Sequence, residues 1–148
     1  MANPFDWRAV LLAKHAQHVA LIHFPIALFT VGVAFDGIAA WTKNEIFAKA
    51  AMFNLTVAAL AVVPTVGTGI LAWQLQLEGQ RLKGILLYHL LAAMGSAVLI
   101  LVNWWIHFRS RRQSLSALPL WRLPVELVGV LLVLLTGHLG GFLSGVNG

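Results

Sequence analysis

The sequence contains no cysteine, and few of its residues carry a charge. The missing cysteine excludes disulfides, iron–sulfur clusters, cysteine-ligated zinc and covalently attached c-type haem. Only 10% of the 148 residues are Asp, Glu, Lys or Arg, whereas charged residues make up about a quarter of an ordinary soluble domain. No pattern of paired carboxylates or of a nucleophile beside a base indicates a hydrolase. The composition therefore favours a membrane protein over a soluble enzyme.

Four long segments contain no charged residue at all, namely residues 15–35, 50–77, 84–108 and 127–148. Each is longer than the roughly 20 residues that a helix needs to cross a bilayer. We therefore predict an all-α membrane protein, a four-helix transmembrane bundle that forms one domain over residues 1–148. The predicted spans are about 19–41, 47–75, 84–108 and 123–146. A short N-terminal segment, residues 5–16, mixes apolar and charged residues and is expected to lie at the membrane interface without a cleavable signal.

The basic residues flank the spans, so the net charge of +5 indicates membrane topology and not nucleic-acid binding. Four of them lie on the side of the N-terminus: Arg8, Lys14, Arg81 and Lys83. Six lie on the other side: Lys43, Lys49, Arg109, Arg111, Arg112 and Arg122. Because the more basic side usually faces the cytoplasm, we predict a multi-pass protein of the bacterial inner membrane with both termini on the non-cytoplasmic side.

Three histidines, His23, His89 and His138, lie inside the charge-free segments, where a polar side chain is costly. If successive spans cross the membrane in opposite directions, all three histidines come near the same membrane face, the non-cytoplasmic one. His18 lies five residues before His23, so the two side chains point about 140° apart on an ideal helix. We therefore expect His18 and His23 to serve two centres if both bind a cofactor. His107 lies at the opposite face.

Two imidazoles on facing helices, surrounded by apolar residues, are the ligand set of a b-type haem. The residues allow one haem b or two, and we prefer His89 and His138 as the axial pair. His23, His89 and His138 could instead bind copper or zinc, since imidazole suits both ions, or serve as hydrogen-bonding contacts between helices. Gly137 and Gly141 would let a macrocycle approach His138 closely, but the same spacing is typical of plain helix packing.

Two acidic residues belong to the other half of the bundle. Asp36 lies about 20 Å along the helix from His23, and we expect it to pair with Lys43, Lys49 or Arg122. Glu126 follows Arg122 by four residues, which predicts an ordinary i,i+4 pair.

Two short strings are distinctive: His-Phe-Pro-Ile-Ala-Leu at residues 23–28 and Thr-Gly-His-Leu-Gly-Gly at residues 136–141. Together with His18, Asp36 and His89 they make the chain similar to a bacterial family of four-span predicted membrane proteins of unknown function. The resemblance runs from His18 to Gly145. It implies four spans, histidines in fixed places and, in some members, an association with cytochrome c-like modules. Val19 stands where the family often has proline, which leaves the role of His18 open.

These observations suggest three functions. The first is a small membrane cytochrome b, an electron-transfer subunit of a larger complex between a quinone or quinol and a periplasmic redox partner such as a cytochrome c. The second is a histidine-lined copper or zinc protein. The third is a structural subunit without a cofactor. In each case the expected surroundings are the lipid bilayer and other membrane subunits, without nucleic acid.

Overall fold

The structure is a computed structural model that describes residues 16–110 and 119–144. It contains four α-helices in these ranges: α1 Ala16–Thr42, α2 Glu45–Gln76, α3 Gly84–Ser110 and α4 Arg122–Leu143. All four are long and apolar enough to cross a membrane. The prediction of an all-α protein with four candidate spans is therefore confirmed, with helix ends within about three residues of the predicted ones. The interfacial segment predicted for residues 5–16 falls, apart from Ala16, outside the described residues, and the single domain over residues 1–148 stays a prediction.

Short links set the helices in antiparallel order. After α1, Lys43 adopts a left-handed backbone with φ of 57° and donates its amide to the carbonyl of Ala39 at 2.8 Å. Asn44 then caps α2, since its side chain accepts a hydrogen bond from the amide of Ile46 at 2.9 Å. Side-chain oxygens at this position satisfy amides that the helix leaves without a partner. Two residues thus reverse the chain and bring α2 back beside α1.

The helices form a closed ring. The contacts of α1 with α2 and of α3 with α4 are the most extensive, and those of α2 with α3 and of α1 with α4 complete the ring. Phe29 lies fully buried at the centre, in a core with Leu55, Ile100 and Val133. Many large apolar side chains point outward from the helices. Such a surface suits lipid, and the interior holds the apolar core residues together with small and polar side chains.

The interface of α3 with α4, here called the α3–α4 seam, positions most of the buried polar groups. Its facing residues follow the antiparallel order of the two helices. The Oγ atoms of Ser96 and Thr136 lie 3.0 Å apart near the middle of α3. Towards one end of the seam His89 Nδ1 donates to the carbonyl of Thr136 at 3.1 Å, and towards the other His107 Nε2 lies 2.9 Å from Glu126 Oε1. The seam therefore brings polar groups together towards both ends of the bundle.

Candidate metal centre

Four charged or ionisable side chains are buried together at the end of the bundle where α1 and α3 finish and α4 begins. The exposed fractions are 0% for Asp36, 5% for His107, 2% for Arg122 and 0% for Glu126. Lys, Glu, Arg and Asp are almost never fully buried unless they are paired. Inside a membrane bundle such residues are a functional site by default. We call these four residues the end cluster.

Three helices contribute to the end cluster. Asp36 lies about one and a half turns before the end of α1, and His107 lies about one turn before the end of α3. Arg122 is the first residue of α4, and Glu126 follows it one turn later on the same buried face. On α3 the buried residues Ser96, Ile100, Asn103 and His107 recur every three or four positions, so the helical repeat directs His107 inward.

The end cluster is held by short polar contacts. The Nε of Arg122 donates to Asp36 Oδ2 at 2.8 Å, and its Nη1 donates to the carbonyl of Pro119 at 3.1 Å. His107 Nε2 lies 2.9 Å from Glu126 Oε1, within hydrogen-bond distance, and 3.9 Å from Asp36 Oδ1. His107 therefore lies between the two carboxylates.

Three of these residues offer metal ligands. One ligand atom each from Asp36, His107 and Glu126 lies within 4.8 Å of the other two, and within residues 16–110 and 119–144 this is the group of three that could share one ion. The buried atoms Asp36 Oδ1 and Glu126 Oε2 have no hydrogen-bond partner. A buried polar atom without a partner is costly. Both carboxylates thus have an oxygen available for a further interaction.

The structure confirms the predicted pairing of Asp36 with Arg122 and changes the interpretation of the other residues. Glu126 does not form an ordinary surface pair, because it is fully buried and contacts His107. Arg122 is buried inside the bundle and so does not act as a loop charge, which leaves five basic residues on its side against four on the other. The predicted orientation of the termini therefore has weaker support and stays a prediction.

Two histidines, His18 and His89, lie at the other end of the bundle, and each contacts a neighbouring helix. His89 is half-buried, and its Nδ1 donates to the carbonyl of Thr136 at 3.1 Å, while a Cβ at Gly140 would lie 3.2 Å from its Cε1. His18 Nδ1 lies 3.2 Å from Thr68 Oγ1, and a Cβ at Gly69 would lie 3.0 Å from its Cε1. Both side chains are half-buried and lie near the starts of α1 and α3.

His23 and His138 are exposed at the bundle surface. His23 Nδ1 donates to the carbonyl of Val19 in its own helix at 2.7 Å, and His138 packs edge-on against Phe142, with ring centroids 5.0 Å apart. Among the glycines, Gly140 faces His89, whereas a Cβ at Gly137 would meet Ile26 at 3.4 Å. The structure thus places His18 and His89, both half-buried, at the same end of the bundle and His138 on its surface. The roles predicted for His18, His23, His89, His138, Gly137 and Gly141 stay predictions.

Sequence reasoning missed the end cluster as a site. Asp36, His107 and Glu126 lie far apart in the chain and close to span ends, where each has an ordinary interpretation as a flanking residue. One signal was present: Asn103 and His107 continue the inward stripe of α3 that begins at Ala92. An inward histidine opposite an inward glutamate would have indicated the site.

A comparison with known families gives the class of this protein. Residues 14–148 match the model of the family described as Predicted membrane protein (DUF2231). The chain belongs to this family of multi-pass membrane proteins. No curated protein and no solved structure matches it significantly.

Proposed function

We propose that this protein binds a divalent transition-metal ion in the membrane through Asp36, His107 and Glu126. The observation that carries the proposal is the approach of three buried ligand atoms, from three helices, to within 4.8 Å of one another. Two carboxylate oxygens of the same residues, Asp36 Oδ1 and Glu126 Oε2, have no hydrogen-bond partner. An ion would give these oxygens the positive partner that they lack.

Two of the three spacings between the ligand atoms are within the reach of a small ion. Zinc binds histidine nitrogen and carboxylate oxygen at about 2.0–2.2 Å, so two ligands of one ion lie at most about 4.3 Å apart. Two of the distances are 2.9 Å, from His107 to Glu126, and 3.9 Å, from His107 to Asp36. One imidazole with two carboxylates suits zinc, manganese or iron(II) better than a soft ion that prefers sulfur.

A direct binding measurement tests the proposal. Purified protein in detergent is titrated with Zn²⁺, Mn²⁺ or anaerobic Fe²⁺, and the Kd is compared with that of Glu126→Gln and His107→Gln. We expect each substitution to weaken binding at least tenfold, because each removes one of three ligands. Glu45→Gln is the matched control, since Glu45 is an exposed acid in a pair with Lys49. If the wild-type protein binds none of these ions, the end cluster is a structural ion-pair network and the proposal is wrong.

A second candidate function is electron transfer by a b-type haem at the opposite end, in a complex with other redox subunits. The positions of His18 and His89 support it, since the two half-buried side chains come from different helices at the same end of the bundle. The Nδ1 of His89 is engaged by a backbone carbonyl, which leaves Nε2 as the nitrogen with a free lone pair. Iron-binding imidazoles commonly have this arrangement.

The absorption spectrum of the purified protein tests this candidate. A Soret band that shifts on reduction with dithionite, and that is lost in His89→Ala, supports haem ligation. The axial pair predicted from the sequence was His89 with His138; because His138 is exposed and His18 is half-buried, we propose His89 with His18 as the pair. Loss of the band in His18→Ala but not in His138→Ala would decide for the second pair. If no such band is present, this candidate is wrong, whatever the metal titration gives.

A further inference from the structure

Arg122 combines a full positive charge with a position at the edge of the end cluster. It is the first residue of α4, so it lies about one turn closer to the end of the bundle than Glu126. Its guanidinium contacts Asp36 on one side and the carbonyl of Pro119 on the other. The next residues outward, Trp121 and Leu120, are exposed. Arg122 therefore separates the three candidate ligands from the bundle end.

The charges of the end cluster depend on Arg122. With a neutral His107, Asp36 and Glu126 contribute two negative charges and Arg122 contributes one positive charge. A divalent ion added to these four residues would leave the buried group with a net charge of +1. An uncompensated charge inside a membrane bundle is strongly unfavourable. If Arg122 leaves, the same ion with two carboxylates forms a neutral group.

The beginning of α4 offers Arg122 a short way out. The residue before it, Trp121, provides no side-chain hydrogen bond to the helix start. Arginine has a long flexible stem, and near the end of a membrane helix it can extend its guanidinium to the interface. The outward position therefore needs a change of side-chain rotamer and the loss of the contacts that hold the guanidinium, the hydrogen bonds to Asp36 and Pro119 among them, with α4 still in place.

We propose that Arg122 is a tethered cation that exchanges with the metal ion: it neutralises Asp36 in the metal-free protein and moves out to the interface when the ion binds. This inference rests on the proposed metal-binding function. It makes Arg122 a competitor of the ion and therefore the residue that sets the affinity of the site. It also couples occupancy of the site to the exposure of a positive charge at the bundle end.

The opposite role is physically reasonable, which makes the inference testable. Arg122 could stay in place and orient Asp36, since ligating carboxylates are often fixed by a hydrogen bond to their second oxygen. An orienting residue strengthens metal binding, whereas a competitor weakens it. The two roles predict effects of opposite sign when the charge is removed.

The first experiment measures Zn²⁺ affinity in Arg122→Gln and Arg122→Lys. We expect Arg122→Gln to bind Zn²⁺ at least tenfold more tightly than the wild-type protein, and Arg122→Lys to stay within about threefold because it retains the charge. Equal or weaker binding by Arg122→Gln would overturn the exchange and leave the metal site intact. If neither the wild-type protein nor Arg122→Gln binds Zn²⁺, the proposed function fails as well.

The second experiment uses the wild-type protein and so does not depend on whether a variant folds. Phenylglyoxal modifies accessible guanidinium groups, and mass spectrometry after digestion reports the extent at each arginine. We expect Arg122 to be protected without metal and to become reactive with saturating Zn²⁺. Arg81 and Arg109 are exposed and serve as internal references. Unchanged protection of Arg122 at saturation would show that it stays in the cluster and would overturn the exchange.

Discussion

Asp36 and Arg122 are 86 positions apart in the sequence, yet Oδ2 of the first lies 2.8 Å from Nε of the second in the interior of the bundle. The pair joins the end of α1 to the start of α4. A buried ion pair of this kind is weak evidence for stability, because desolvation of both charges offsets much of their attraction. It does make either partner costly to remove alone, which leads to the first prediction.

We expect Asp36→Asn to lower the free energy of unfolding by about 1.5–3 kcal/mol, the usual value of a hydrogen bond to a charged group. The full cost of a charge left buried and unpaired, about 3–5 kcal/mol, is not expected, because Arg122 can turn its guanidinium out to the interface once Asp36 no longer holds it. Unfolding of the metal-free protein in mixed detergent gives the value. The double variant Asp36→Asn with Arg122→Gln should lose less than the sum of the two single variants, since it leaves neither charge unpaired.

The exposed pair of Lys49 and Glu45 is the matched control for this cycle. Its atoms lie 3.8 Å apart, and both side chains are well exposed. Such i,i+4 pairs contribute about 0.3–0.5 kcal/mol, so Lys49→Gln should change stability by no more than that. An Asp36→Asn effect as small as the Lys49→Gln effect would contradict the burial of the pair.

Gly129 provides a second test, this time of the packing beside the end cluster. A Cβ there would lie 2.9 Å from Cζ of Phe29, a fully buried ring in the core. We expect Gly129→Ala to destabilise the protein by about 1–3 kcal/mol, the usual cost of overpacking. Gly67→Ala is the control: nothing lies within 4 Å of its added methyl group, so it should be neutral or stabilising by up to about 1 kcal/mol through helix propensity.

The glycines beside His138 lead to a third prediction. Its outcome differs between the arrangement in the structure and the one expected from the sequence. A Cβ at Gly140 comes within 3.2 Å of the His89 ring, whereas one at Gly137 only reaches Ile26 at 3.4 Å. Gly140→Ala should therefore shift the ¹⁵N resonances of the His89 imidazole in histidine-labelled protein, and Gly137→Ala should leave them unchanged. A shift from Gly137→Ala alone would instead support the original placement of His138.

The orientation of the bundle can be tested directly, because the chain has no cysteine and each introduced thiol is the sole target. Glu45 lies exposed at the end-cluster side, and Arg81 lies exposed in the link between α2 and α3. If the termini are on the non-cytoplasmic side, an impermeant maleimide added to intact cells should label Arg81→Cys and not Glu45→Cys. The reverse pattern would place the end cluster at the outer face.

The fold was accessible from the sequence because the bilayer imposes a single strong rule. A span must be long and nearly free of charge, and four such segments identify α1 to α4 without knowledge of any contact. The interaction partner of a side chain could be predicted from the sequence only where few candidates existed. Asp36, an acid flanked by apolar residues, had three basic candidates, and Arg122 was among them.

The end cluster was not accessible in the same way, because its composition depends on the rotation of each helix about its own axis. Polar residues near span ends face either the interface or the interior, and hydropathy does not distinguish the two. His107 illustrates the point: it was placed at the correct membrane face but not in the interior. The same uncertainty affects His138, which shares an apolar segment with His89's partner Thr136 but points outward.

The α3–α4 seam has one further consequence. Between its polar ends lie Ile100 and Val133, which are 3% and 1% exposed and belong to the hydrophobic core. A layer of this kind is a poor host for a proton or an ion, so neither passes readily along these two residues from the imidazoles of one end to the carboxylates of the other. Hydrocarbon also screens charge poorly, so a cation bound at one end raises the electrostatic cost of a cation at the other, in addition to any shift or turn of a rigid helix that both ends share.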